Sequence, residues 1–183
     1  PAETSLSLNF FGAVATLEGL RPLLETSPAP RAVVVSSIAS LTPADPLTKV
    51  CLTMDEGAAI AAARDAIAAG KTALDLYSSA KHALNCWCRR VARSPQWAGA
   101  GIPLNVIAPG FIDTPAASYV LSDPNYRATA ERMVPMRGAF PGRPEQMAAL
   151  LAWCVSPENS LMTGQILFVD GGYECLARGE DSW

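Results

Sequence analysis

Three short apolar runs, separated by long helical stretches, set the tightest limit on what this chain can fold into. The first is Ala32-Val33-Val34-Val35, within Arg31–Ser36. It is β-branched and does not alternate with polar residues, which suits a strand buried on both faces of a parallel sheet. Ile102–Ala108 and Gln165–Val169 read as the second and third strands. Ahead of them, residues 3–25 place Leu6, Phe10, Val14, Leu17, Leu20 and Leu24 at helical spacing, until Pro28 and Pro30 break the pattern. The order helix, strand, helices, strand, helices, strand predicts an α/β fold with right-handed crossovers.

The connections can be read more coarsely. Pro43 and Pro46 predict a loop, and Thr53-Met54-Asp55-Glu56 offers a capping box for an alanine-rich helix that ends near Gly70. A second long helix covers 73–94, and Gly99 and Gly101 close that region. Pro109-Gly110 breaks the second strand, a short helix falls within 115–136, and Pro144–Val155 forms another with proline in its first turn. Asp170-Gly171-Gly172 turns the third strand; beyond it the chain reads as a tail, with no helix opening after the glycines.

Composition narrows the classes. Half of the 183 residues are hydrophobic and 17% are charged, which supports one packed domain and excludes overall disorder. A formal net charge of -3 gives no reason to expect nucleic acid or an anionic membrane as a partner. The apolar stretches are too short and interrupted for a membrane span, and no signal peptide opens the sequence. Cys51, Cys86, Cys88, Cys154 and Cys175 are odd in number and form no disulfide framework; they read as reduced packing thiols of a cytoplasmic protein. With His82 the single histidine, no metal site is expected, and His82 itself reads as structural. Trp87, Trp97 and Trp153 read as packing residues, and Trp183 as part of the tail.

The sharpest chemical feature is Tyr77-Ser78-Ser79-Ala80-Lys81 on the second long helix. Residues four apart share a helical face. A phenol titrates near 10, so bringing it near 7 takes about three units, roughly 4 kcal/mol. One cation about 4 Å away supplies that order of energy at an effective dielectric near 20, and Lys81 is placed to be that cation. Ser36-Ser37 ends the first strand and Pro109-Gly110 the second. In open α/β sheets ligands bind at those carboxyl ends. Asn9, in Leu8-Asn9-Phe10-Phe11-Gly12, is either a surface or capping residue or a buried amide that needs partners.

Asn9 with its following Gly12, Ser37 after an apolar strand, Tyr77-x-x-x-Lys81, Asn105-Val106-Ile107-Ala108-Pro109-Gly110 and the closing Gly164-Gln165…Val169-Asp170-Gly171-Gly172 together resemble the motifs of the short-chain dehydrogenase/reductase family, in that family's order. The resemblance implies the C-terminal portion of a doubly wound Rossmann-type parallel sheet. Residues 1–183 would form a single partial domain, the catalytic half, with a helical insert at about 41–72. It implies an NAD(P)-dependent oxidoreductase that interconverts an alcohol and its carbonyl, with NAD against NADP left open. Tyr77 would be the general acid/base, and Lys81 would lower its pKa and bind the nicotinamide ribose. Ser37, rather than Ser36, would hold the substrate oxygen, and Asn9 a water in a proton relay to Lys81. Pro109 and Gly110 would wall the nicotinamide, the Ile112 backbone would bind its carboxamide, and Thr114 the phosphates.

Two departures qualify the resemblance. The family's glycine-rich phosphate loop, its NAD/NADP-discriminating residue and its Asn-Ala-Gly strand all precede the first helix; none occurs in this sequence, and the expectation is a chain lacking its N-terminal part. Ser37 and Tyr77 are also 40 positions apart. A long insert there is similar to the bacterial 3α-hydroxysteroid dehydrogenase/carbonyl reductases and the coniferyl-alcohol dehydrogenase-like members, which implies a hydrophobic substrate. A homo-oligomer is expected, with the insert covering the family's usual helix contact so that another surface, around the last strand, is used. The competing reading is a truncated, inactive chain serving as a binding or oligomerisation module. A Ser37 hydrolase is disfavoured, because no G-x-S-x-G elbow surrounds it.

Overall fold

A computed structural model of the chain describes residues 4–43 and 46–180. Trp183, read as part of the tail, lies outside the described residues. Three strands, β1 (Ala32–Val35), β2 (Leu104–Pro109) and β3 (Ile166–Val169), form a parallel sheet in the order β1-β2-β3. Val34 faces Val106 across the first pair, and Ile107 faces Leu167 across the second. Helices α1 (Thr4–Leu6) and α2 (Ala13–Glu25), joined by a π-helical turn over Ser7–Gly12, precede β1. Helices α3 (Leu47–Cys51), α4 (Glu56–Ala68) and α5 (Ala73–Ala92) link β1 to β2. Helices α6 (Ser118–Leu121), α7 (Pro124–Arg132) and α8 (Pro144–Cys154) link β2 to β3, and α9 (Tyr173–Arg178) follows.

Burial corrects the reading of Ala32–Val35 as a strand buried on both faces. Only β2, the central strand, is buried along Leu104–Ala108. β1 is an edge, with Val33 and Val34 half-buried and Val35 45% exposed; β3 is half-buried throughout. Leu104 and Val106 join the core beneath α5, which supplies Leu76, Ala80, Leu84, Trp87 and Cys88. Strand side chains alternate between faces, so Asn105 and Ile107 point the other way. There Asn105 is fully buried and stitches two strands: Nδ2 donates to Met162 O at 2.7 Å and Oδ1 accepts from Gln165 N at 3.1 Å. Pro109 does not break β2 but ends it, paired with Val169.

The expected insert is part of the core. Leu47, Cys51, Ala59 and Ala63 are buried in the same cluster as Leu76 and Phe10. The expected capping box at Thr53 is not formed. Thr53 closes α3 instead, its hydroxyl donating to Val50 O at 2.7 Å, and Asp55 caps α4 by accepting from Ala58 N at 2.9 Å. A capping box unread in the sequence starts α5, where Thr72 Oγ1 accepts from Asp75 N and Asp75 Oδ2 from Thr72 N. The alanines divide by face: Ala59 and Ala63 are fully buried, while Ala58 and Ala61 are exposed. Extra methylenes in such a seam have nowhere to go, so Ala63→Leu is expected to destabilise the chain by about 1–3 kcal/mol, read as a lower urea midpoint. Ala61→Leu, on the exposed face, should leave the midpoint within error.

The C-terminal tail is corrected too. A helix opens directly after Gly171-Gly172, with Gly172 in the left-handed region at φ 94°. Two N–H groups at its start are taken: Asp170 accepts from Gly172 N at 2.9 Å and from Glu174 N at 2.8 Å. A carboxylate at that position repels a second anion, so this short helix does not replace a phosphate loop.

Candidate active site

The carboxyl ends of β1 and β2 are drawn together by the ladder, Ser36 N donating to Ile107 O at 2.7 Å. Past that bond the chain turns: Ser37 is extended at φ -165° and caps a 3-10 turn over Ile38–Leu41, its Oγ accepting from Ala39 N at 3.1 Å. The two serines face opposite ways. Ser36 is buried, with its hydroxyl toward Lys81 O at 3.4 Å. Ser37 lies close enough to Tyr77 for its hydroxyl to draw the phenol's pKa down.

Ser37 and Tyr77 line a cavity of about 830 Å³ together with Pro109, Gly110, Ile112 and Thr114. The close approach of Gly110 to the sheet end requires glycine, because a Cβ there would stand 2.7 Å from Asp170 Cα. Thr114 Oγ1 donates to Ile112 O at 3.4 Å. Lys81 does not line this cavity. Its Nζ donates to Val35 O at 3.0 Å and lies 5.7 Å from the Tyr77 ring centroid. Asn9 is not brought to the cavity either: Nδ2 donates to Ser5 O at 3.0 Å inside its own helical segment, and none of its bonds reaches Lys81. Its place in the π-helical turn is a type of irregularity common at functional sites.

The electrostatics correct one expectation. Burial pushes the Tyr77 phenol above its ordinary value; the Ser37 hydroxyl pulls the other way, and Tyr119 nearby pushes it up further. Lys81 is not among the causes, because its ammonium meets a strand carbonyl and the ring face rather than the phenol oxygen. Burial pushes the Lys81 ammonium itself down. His82 is structural as read, Nδ1 bonding Ser40 O at 2.8 Å. A hydrogen bond from His82 holds the Cys86 thiol below its ordinary value, against the opposing effect of burial. Among the described residues no cluster of His, Cys, Asp or Glu could hold a metal, and no helix is long and apolar enough to cross a membrane.

The sequence reading missed most of the cavity wall. Leu74, Phe111, Tyr119, Val120, Met147 and Leu151 line it. Leu74 and Tyr119 are 58% and 69% exposed, although both are large and apolar-bodied. The signal was present in position only: Leu74 sits one turn before Tyr77, and Tyr119 follows the Pro109-Gly110 loop.

A parallel sheet with a Ser–Tyr pair at its strand ends belongs to the Rossmann type of α/β protein. The comparisons are more specific. Residues 33–174 match a family described as Enoyl-(Acyl carrier protein) reductase. The chain is 33% identical to the 3-alpha-hydroxysteroid dehydrogenase/carbonyl reductase of Comamonas testosteroni, over 94% of this chain and 66% of that protein. It is 46% identical to 3beta-hydroxysteroid dehydrogenase 1 of Eggerthella lenta, over 42% of this chain and 29% of that one. It superposes on the crystal structure of the 3-alpha-hydroxysteroid dehydrogenase from Pseudomonas sp. B-0831 complexed with NADH with a TM-score of 0.83 and 34% identity, covering 98% of this chain and 69% of that one. The chain belongs to the short-chain dehydrogenase/reductase family, and it spans 66% of the length of the Comamonas relative.

Proposed function

We propose that residues 1–183 carry the catalytic half of an NAD(P)-dependent oxidoreductase that interconverts a hydrophobic secondary alcohol and its carbonyl, with Tyr77 as general acid/base. The observation that supports this most is that Ser37 and Tyr77 line one cavity at the carboxyl ends of the strands. Three relatives are named as hydroxysteroid dehydrogenases, and the Pseudomonas one is complexed with NADH. The nicotinamide end of such a cofactor fits the residues present: Pro109, Gly110, Ile112 and Thr114 line the same cavity as the Ser37 and Tyr77 hydroxyls. The pyrophosphate end finds no glycine-rich strand-to-helix turn with free N–H groups among the described residues.

The dinucleotide, when bound, supplies or takes up the hydride. The remaining work falls to this chain's side chains. A phenol raised by burial is protonated at neutral pH and ready to give its proton to a carbonyl oxygen. In the reverse direction the phenolate would take the proton from the alcohol oxygen. Ser37, whose oxygen already accepts from Ala39 N, keeps its own proton available to the same substrate oxygen. Apolar walls at Leu74, Val120, Met147 and Leu151 favour a hydrophobic substrate body.

The test uses a preparation in which a dinucleotide-phosphate-binding segment is supplied in cis or as a second chain. Reduction of a hydrophobic ketone is followed by the loss of NADH or NADPH absorbance. Ser37→Ala is expected to lower kcat on the order of tenfold to a hundredfold, the scale of one lost donor at a developing oxyanion or less. Unchanged kcat would remove Ser37 from the site.

A further inference from the structure

Three side chains on one stripe of α5 fasten the Val35–Ser40 segment in succession. Tyr77, Lys81 and Asn85 recur every four residues and so share a face. Tyr77 lines the cavity beside Ser37, whose hydroxyl draws the phenol's pKa down, Lys81 Nζ donates to Val35 O at 3.0 Å, and Asn85 Nδ2 donates to Ser40 Oγ at 2.9 Å. Asn85 is not part of the cavity wall, yet its bond is relayed to it. Ser40 Oγ donates in turn to Ser37 O at 2.7 Å, and the Ser40 carbonyl receives His82 Nδ1 at 2.8 Å.

The direction of the relay is fixed by its ends. The Ser37 carbonyl can only accept, and the single Ser40 hydroxyl proton goes there, so Asn85 must present its N–H side. Likewise the Ser40 carbonyl requires a proton on His82 Nδ1. Asn85 is 5% exposed and Ser40 2%, so neither bond competes with bulk water. Asn85 Oδ1 is buried without a hydrogen-bond partner. An unbonded buried amide oxygen costs free energy that a leucine of similar volume would not. Packing therefore does not account for an amide here, whereas the one bond to Ser40 does.

We propose that Asn85, seconded by His82, is the positioning residue of the site: acting through Ser40, it sets where Ser37 stands relative to Tyr77. This rests on the reading of Ser37 and Tyr77 as the pair that handles the substrate oxygen. One helix then carries both the proton-transferring phenol and the clamp on its partner, so the two hydroxyls keep their spacing when α5 moves.

The test reads the phenol itself, in the 183-residue chain, without substrate or cofactor. Difluorotyrosine replaces all four tyrosines, and each phenol is titrated separately by fluorine NMR, with Tyr77 assigned from its absence in Tyr77→Phe. Ser37→Ala should raise the Tyr77 midpoint, because the Ser37 hydroxyl holds it down. Asn85→Ala should raise it too, with the midpoints of Tyr126 and Tyr173 unmoved, and should add nothing in the Ser37→Ala background. Ser40→Ala, which leaves almost no void, should match Asn85→Ala and decides the matter if the latter does not fold. A Tyr77 midpoint at the parent value in Ser40→Ala, or shifts that add to that of Ser37→Ala, would overturn the proposal. Near-normal turnover in Tyr77→Phe would instead sink the catalytic reading and leave this coupling standing.

Discussion

Tyr77→Phe is expected to lower turnover by at least about a hundredfold while leaving the fold in place. The magnitude is that of lost general acid/base catalysis, about 10²–10⁴-fold. The substitution is a narrow one. The phenylalanine ring occupies the same half-buried position between Leu76 and Ser78 on α5, and the change removes one hydroxyl close to the Ser37 side chain. A single net hydrogen bond contributes about 0.5–1.5 kcal/mol, too little to unfold a domain. Far-UV circular dichroism should be unchanged while steady-state rates fall in both directions, since the same phenol gives the proton in reduction and takes it in oxidation. Turnover close to the parent in a folded Phe variant would show that the proton goes elsewhere.

How much of this was legible in the sequence depends on whether the signal is local. The Tyr77–Lys81 spacing and the Ser36-Ser37 strand end are local patterns, and the structure puts Ser37 and Tyr77 on one wall. The α/β order was legible because β-branched runs without alternation leave little else to build. Strand burial was not: Val33-Val34-Val35 looks like a central strand, and only the sheet order makes it an edge. The hydrogen-bond partner of Lys81 was not legible for a similar reason. Spacing puts it near Tyr77, but the nearest acceptor for its ammonium is Val35 O, on another element. The α4 cap was misplaced because Thr53 and Asp55 are both good caps, and Thr53 is taken by Val50 O. The cavity walls Leu74 and Tyr119 were missed because an exposed apolar side chain has no periodic signature until the fold brings several together.

The 183-residue chain by itself is expected to bind neither NAD nor NADP measurably, and to self-associate. Both follow from the β1 side of the sheet. β1 pairs with β2 alone in the described sheet, leaving the other row of its N–H and C=O groups without a strand partner beside Val33, Val34 and the 45%-exposed Val35. Next to that edge lies a groove of about 650 Å³ between α2 and β1, lined by Ala13, Leu17, Leu20, Leu24 and Val33. An apolar, unpaired edge of this kind is a template for another chain. The same side offers the dinucleotide no anchor. Its pyrophosphate normally rests on free N–H groups at a helix N-terminus after a glycine turn. At the Gly171-Gly172 turn, Gly172 N and Glu174 N are bonded to the Asp170 carboxylate. The proposed nicotinamide contacts alone, at Pro109, Gly110 and Ile112, would involve too few atoms to hold a dinucleotide tightly. Sedimentation of the purified chain should show species larger than a monomer that grow with concentration, and titration calorimetry with NADH or NADPH should show no heat of binding. Supplying the part of the Comamonas relative that lies outside the matched 66%, in cis or as a separate chain, should shrink those species and restore binding together. Tight dinucleotide binding by the chain alone would mean that Ser37, Tyr77 and Thr114 belong to a cofactor cradle built without a glycine turn.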